Sequence, residues 1–134
     1  MTTKFEQDLK NGQEYEKKAL LLIQKKYPKA YIIKGYCLDW DIYIPELRIG
    51  VEVKSDAQYK VTGNFYVEYF CNGKPSGIST TKADIYYIYL DKLYIVKTED
   101  LKAKCRKYIN TDRDKKSGDN MASKGIILPI NELI

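Results

Sequence analysis

Read as apolar and polar positions, the first quarter of the chain carries a helical repeat. Leu9, Gly12, Glu16, Ala19, Leu20, Leu22, Ile23 and Tyr27 recur at close to 3.6-residue spacing. That period predicts one amphipathic helix over residues 4–27, stopped at Pro28. The period then falls to two. "YIIKGY" (31–36), "DWDIYIP" (39–45) and "LRIGVEVKS" (47–55) read as three successive strands. In the third, Ile49, Val51 and Val53 face one way, and Gly50, Glu52 and Lys54 the other. Residues 56–63 read as a loop and 64–71, "NFYVEYFC", as a fourth strand. Turn formers fill 72–79. "STTKAD" (79–84) predicts a short helix with Ser79 or Thr80 as N-cap. A strand pair turning at Asp91-Lys92 is predicted over 85–98, and a second long helix over 98–109 with Thr98 as its cap. The polar run 110–124 reads as a loop, and "GIILPI" (125–130) as a last strand. No repeat or boundary interrupts the series, so residues 1–134 are expected to form one domain. Its class is mixed α/β (α+β), a central mixed sheet flanked by helices.

Composition narrows the chemistry. The 134 residues include no histidine, which excludes Ser-His-Asp and Cys-His nucleophile pairs and histidine-bearing zinc sites. Any catalysis must use carboxylates, lysine, tyrosine or a metal held by oxygen. Cys37, Cys71 and Cys105 are odd in number and form no CxxC, which fits free thiols in a reducing compartment. No apolar run is long enough to span a bilayer, and "MTTKFEQDLK" lacks an apolar signal core. A cytoplasmic protein with no membrane partner is therefore expected. The net charge of +5, from 23 basic and 18 acidic residues, favours a polyanionic partner, although a lysine-rich soluble surface would show the same excess.

Against this background the stretch "DWDIYIPELRIGVEVKSD" stands out. If its two strands pair, Asp41 meets Glu52 and Lys54 on one face near the sheet edge. Two carboxylates at that spacing repel unless something positive lies between them. A divalent cation does this well, because Mg²⁺ prefers oxygen and takes one or two carboxylates. Lys54 would then help align or deprotonate the attacking water, or offset charge on a phosphate. On the first helix Glu16 falls on the stripe Gly12–Glu16–Ala19–Ile23 and points inward, whereas Glu14 lies on the line of Lys18, Leu21 and Lys25. A sheet with one wet face, and a Glu16 paired with a core-edge lysine, are the plainer explanations.

A helix carrying Gly-x-x-x-Glu-x-x-Ala, followed by strands bearing Asp-x(10)-Glu-x-Lys, resembles the PD-(D/E)XK nuclease superfamily. Within it, the pattern is most similar to small Holliday-junction resolvase-like and phage-type nucleases. The resemblance covers residues 12–97. It implies a restriction-endonuclease-like core and Mg²⁺ or Mn²⁺ bound by Asp41 and Glu52, with Glu16 completing the site. The resemblance further implies that Lys54 assists hydrolysis and that DNA, branched or duplex, is the substrate. Trp40 stands where the family has proline. Asp39 shares a face with Asp41, so the first metal acid is either of these, and the helix acid either Glu16 or Glu14. Cutting both strands further implies a homodimer.

Two other segments are expected to touch substrate. Asn64, Tyr66 and Glu68 share a face of the fourth strand. Ser79, Thr80, Thr81 and Lys82 would lie at a helix N-terminus, where free N–H groups favour a phosphate, with Lys82 placed to clamp the scissile strand. Two readings compete with a metal-dependent deoxyribonuclease: a catalytically inactive nucleic-acid-binding module with the same fold, and a scaffold whose acids are surface decoration.

Overall fold

Sheet pairing decides where the acids go. The computed structural model describes residues 3–33, 40–56, 59–117 and 121–134. Residues 34–36 of the first expected strand, Asp39 and Cys37 lie outside that set, as does the side chain of Leu9.

Helix α1 (Lys4–Gln24) opens on a capping box in which the Glu6 N–H donates to Thr3 Oγ1 and the Thr3 N–H to Glu6. It ends one turn before Pro28, whose ring disfavours helical backbone at Tyr27. Ala19 and Ile23 are buried against Ile42, Ile44, Val51 and Val53. Leu22, expected on the inner stripe, is exposed instead.

Strands β1 (Tyr31–Ile32), β2 (Ile42–Ile44) and β3 (Ile49–Ser55) form an antiparallel meander. Two later strands, β6 (Ile85–Tyr89) and β7 (Leu93–Lys97), complete a five-stranded mixed sheet in the order β1-β2-β3-β6-β7, with β6 parallel to β3. The hairpin turn falls at Asp91-Lys92, as its sequence predicts. The class is mixed α/β, a central mixed sheet flanked by helices.

The chain between β3 and β6 carries a short helix, α2 (Tyr59–Thr62), inside the expected loop, then β4 (Asn64–Cys71) and β5 (Lys74–Pro75). Because β3 is already paired on both edges, β4 starts a second sheet, in the order β5-β4-β9-β8. Its other strands are β8 (Asp114–Ser117) and β9 (Ser123–Pro129). Phe65, Val67, Ile126 and Leu128 of this sheet pack on Tyr86, Ile88, Tyr94 and Val96 of the first, with Leu101 and Cys105 of helix α3 (Thr98–Arg106). The face bearing Glu52 is therefore covered by protein.

Three sequence expectations are corrected. Residues 79–84 form no helix. A 3₁₀ turn at Gly77–Ser79 leads into extended chain, where the Ala83 N–H donates to Thr81 Oγ1, a local bond that competes with helix. Thr98 does not cap α3. Its N-cap is Lys97, and the Thr98 hydroxyl donates to the Ala83 carbonyl at 2.8 Å. Finally, part of the expected loop 110–124 is β8, paired with β9 from Asp114↔Ile126 to Ser117↔Ser123. Asp114 turns inward to accept from Tyr69 Oη at 2.7 Å. Among the described residues no helix is long and apolar enough to cross a membrane.

Candidate active site

The β2–β3 register pairs Ile42 with Val51 and Tyr43 with Gly50. One step further along it Asp41 stands opposite Glu52, and the Asp41 N–H donates to the Val51 carbonyl at 2.9 Å. Asp41 also uses its side chain on the neighbouring backbone, with Oδ2 accepting from the Val53 N–H at 2.8 Å. This bond fixes its carboxyl beside that of Glu52, close enough for each to feel the other's charge.

Glu52 is 8% exposed. Its Oε1 accepts from Thr81 Oγ1 at 3.2 Å, and Lys54 Nζ stands 3.7 Å from Oε2. Burial, and then the charge of Asp41, push the Glu52 carboxyl up to about 7, against the opposing pull of Lys54 and the Thr81 hydrogen bond. Near neutral pH Glu52 is therefore protonated for part of the time. Tyr86 lies alongside, its hydroxyl bonded to Thr81 and its ionisation pushed up by burial and by Glu52. Half-buried Glu16 of α1 is raised too, by burial first and by Asp41 second, with Lys54 opposing. Glu14 is exposed.

The donor set suits a hard cation. Asp41 has one oxygen committed to Val53 and one left over, and Glu52 adjoins it. Mg²⁺ needs no more than one or two carboxylates, completing its shell with water and substrate oxygens. Glu16 is close enough to feel Asp41 and Lys54, yet among the described residues no three Asp, Glu or Cys side chains are arranged to hold an ion. Asp41 and Glu52 would hold Mg²⁺ or Mn²⁺, with Glu16 at the margin.

The expected substrate contacts divide. Glu68 and Thr80 border the same cavity as Asp41, Glu52 and Lys54. Asn64 does not line it, because its Oδ1 accepts from Arg113 Nη1 at 2.9 Å and its Nδ2 donates to the Thr62 carbonyl. Lys82 borders a separate cavity with Asp84 and with Lys97, Thr98 and Glu99 at the start of α3, so the helix N-terminus beside it is that of α3 and not of a helix over 79–84. Ser76 was not legible as a site residue, since its place depends on the second sheet, and Thr81, expected as a phosphate contact, instead bonds Glu52 because β6 pairs with β3. Comparison with known proteins finds no matching family model, curated protein or solved structure.

Proposed function

We propose that the chain is a Mg²⁺- or Mn²⁺-dependent DNA endonuclease that hydrolyses phosphodiester bonds, acting on branched DNA such as a four-way junction. The observation that carries this reading is the Asp41–Glu52 carboxyl pair, fixed by the Val53 N–H and the Thr81 hydroxyl, with the Lys54 ammonium beside it. A carboxyl pair with one member buried and a lysine at its edge is costly as architecture and useful as a cation site. When bound, the cation supplies Lewis acidity at the scissile phosphate and activates the attacking water. The remaining roles belong to the chain. Asp41 and Glu52 orient the ion, and Glu52 releases its proton to do so. Lys54 places a positive charge where phosphoryl charge develops. Glu16 biases the site electrostatically.

One chain carries one such pair, so cutting both strands of a duplex would take a homodimer. The free thiols of Cys71 and Cys105 support a cytoplasmic setting. Incubating the protein with linear, flapped and four-way DNA in Mg²⁺, Mn²⁺ or EDTA tests the reading. Metal-dependent cleavage that is lost in Glu52→Ala is expected. Among the described residues no third carboxylate is arranged with the pair, and the competing reading is an inactive nucleic-acid-binding module. DNA binding with no cleavage under any metal would select it.

A further inference from the structure

The acid pair lies inside a cleft, and the walls of that cleft come from different sheets. Asp41, Glu52, Lys54 and Tyr86 belong to the first. Glu68 and Cys71 on β4, with Pro75 and the Ser76–Thr80 segment, form the opposite wall of a cavity of about 440 Å³. A second cavity of about 230 Å³ shares Lys54, Glu68, Gly77 and Tyr86 with it. Together they match a small-molecule pocket in scale, large enough for one nucleotide.

The β4 wall is firmly built. Glu68 accepts from Ser76 Oγ at 3.0 Å and from Ser123 Oγ at 2.7 Å, and Ser123 is in turn bonded to Tyr66 Oη. Gly77, at φ +51, sits so close to the Glu68 backbone that a Cβ there would collide with it. The wall cannot fold back to admit a second strand without breaking these contacts.

We propose that the cleft admits a single unpaired nucleotide, its phosphate turned to Asp41, Glu52 and Lys54 and its base to the Glu68 wall. This rests on the nuclease reading and narrows it: the strand that is cut is single-stranded at the point of cutting, as in a flap, a tail or a frayed branch. Charge sets the orientation. With a cation held by Asp41 and Glu52, the Lys54 side would be positive and take the phosphate, whereas the Glu68 carboxylate on the opposite wall repels it. The same carboxylate keeps lone pairs that can accept from base N–H groups, and half-buried Tyr66 borders the adjoining cavity.

Cys71 gives a readout that does not depend on turnover, because it borders the cavity as a free thiol. Alkylation of Cys71, located by peptide mass, is followed with a short single-stranded oligonucleotide or with a hairpin of the same sequence closed at both ends. At saturation the single strand should slow alkylation about tenfold, as occupancy at roughly ten times the dissociation constant requires, while the closed hairpin leaves it unchanged. In Mg²⁺, single-stranded and tailed DNA should be cut at least about tenfold faster than the closed duplex. Thr80→Trp, which fills the mouth from an exposed position, should abolish protection and cleavage while Mn²⁺ binding persists. Equal cutting of closed duplex, equal protection by it, or no effect of Thr80→Trp would overturn the proposal. Protection by the single strand without any cleavage would end the nuclease reading and leave the cleft reading standing.

Discussion

Thr81 donates from Oγ1 to Glu52 Oε1 at 3.2 Å, tying the segment just before β6 to the acid on β3. The bond acts on the ionised form of Glu52 and opposes the upward push of burial and of Asp41. Thr81→Val keeps the shape and removes the donor. It should raise the Glu52 ionisation further and weaken Mn²⁺ binding by about 1 kcal/mol, roughly fivefold. The loss should be larger at pH 6 than at pH 8, because at pH 8 even the mutant acid is mostly ionised. Calorimetric Mn²⁺ titration at both values checks this. A loss equal at both values would assign Thr81 a purely structural role.

The same carboxyl makes stability depend on pH in an unusual direction. Glu52 holds its proton up to about pH 7 in the fold, whereas an unfolded glutamate releases it near pH 4.5. Between those values the folded protein binds more protons than the unfolded chain, so stability is full below about 4.5 and falls as pH rises toward 7. The shift of Glu16, also upward, adds in the same direction. The loss should be on the order of 1–3 kcal/mol in the metal-free protein. Glu52→Gln should flatten the profile and melt a few degrees higher at pH 8. Thermal melts across pH 4–8 in EDTA test it, and a profile that rises with pH instead would contradict the buried pair.

Lys54 separates binding from chemistry. Lys54→Ala should retain Mn²⁺, since an ammonium is no ligand, yet cut DNA roughly 10²-fold more slowly, the scale of losing a positioned charge. Glu52→Ala should weaken both. Wild-type cleavage by purified Lys54→Ala would remove Lys54 from the mechanism.

Much of this arrangement was legible because period and chemistry agreed. Alternation at Ile49, Val51 and Val53 placed Glu52 and Lys54 on the opposite face, and the hairpin register then brought Asp41 to Glu52. The inward tilt of Glu16 followed from Ala19 and Ile23, both buried. What failed depended on pairing at a distance. Nothing local in "NFYVEYFC" says that β4 leaves the first sheet, a choice fixed by β6 occupying the edge of β3. The polar run that hides β8 reads as a loop because its inward residue, Asp114, is charged and satisfied by Tyr69. Thr98 has the side chain of a cap, but the buried Ala83 carbonyl claimed its hydroxyl.

Gly50 supports Asp41 from beneath. Its N–H donates to Asp84 Oδ2 at 3.0 Å, and its carbonyl accepts from the Asp84 N–H at 2.9 Å, so its backbone cannot shift freely. The Trp40 ring lies directly over it, and a Cβ at residue 50 would come within 2.6 Å of that ring. Gly50→Ala should therefore displace Trp40, also packed on Tyr43 with ring centroids 5.5 Å apart, and cost about 1–3 kcal/mol as overpacking does. Because Trp40 is the residue before Asp41, the displacement should also loosen the Asp41–Val53 bond and weaken Mn²⁺ binding severalfold. Pairing Gly50→Ala with Trp40→Leu returns the space, and the double variant should recover most of the cation affinity. If it recovers stability but not affinity, Trp40 is needed at the site itself; if Gly50→Ala alone binds Mn²⁺ like the wild type, Asp41 is held without this packing.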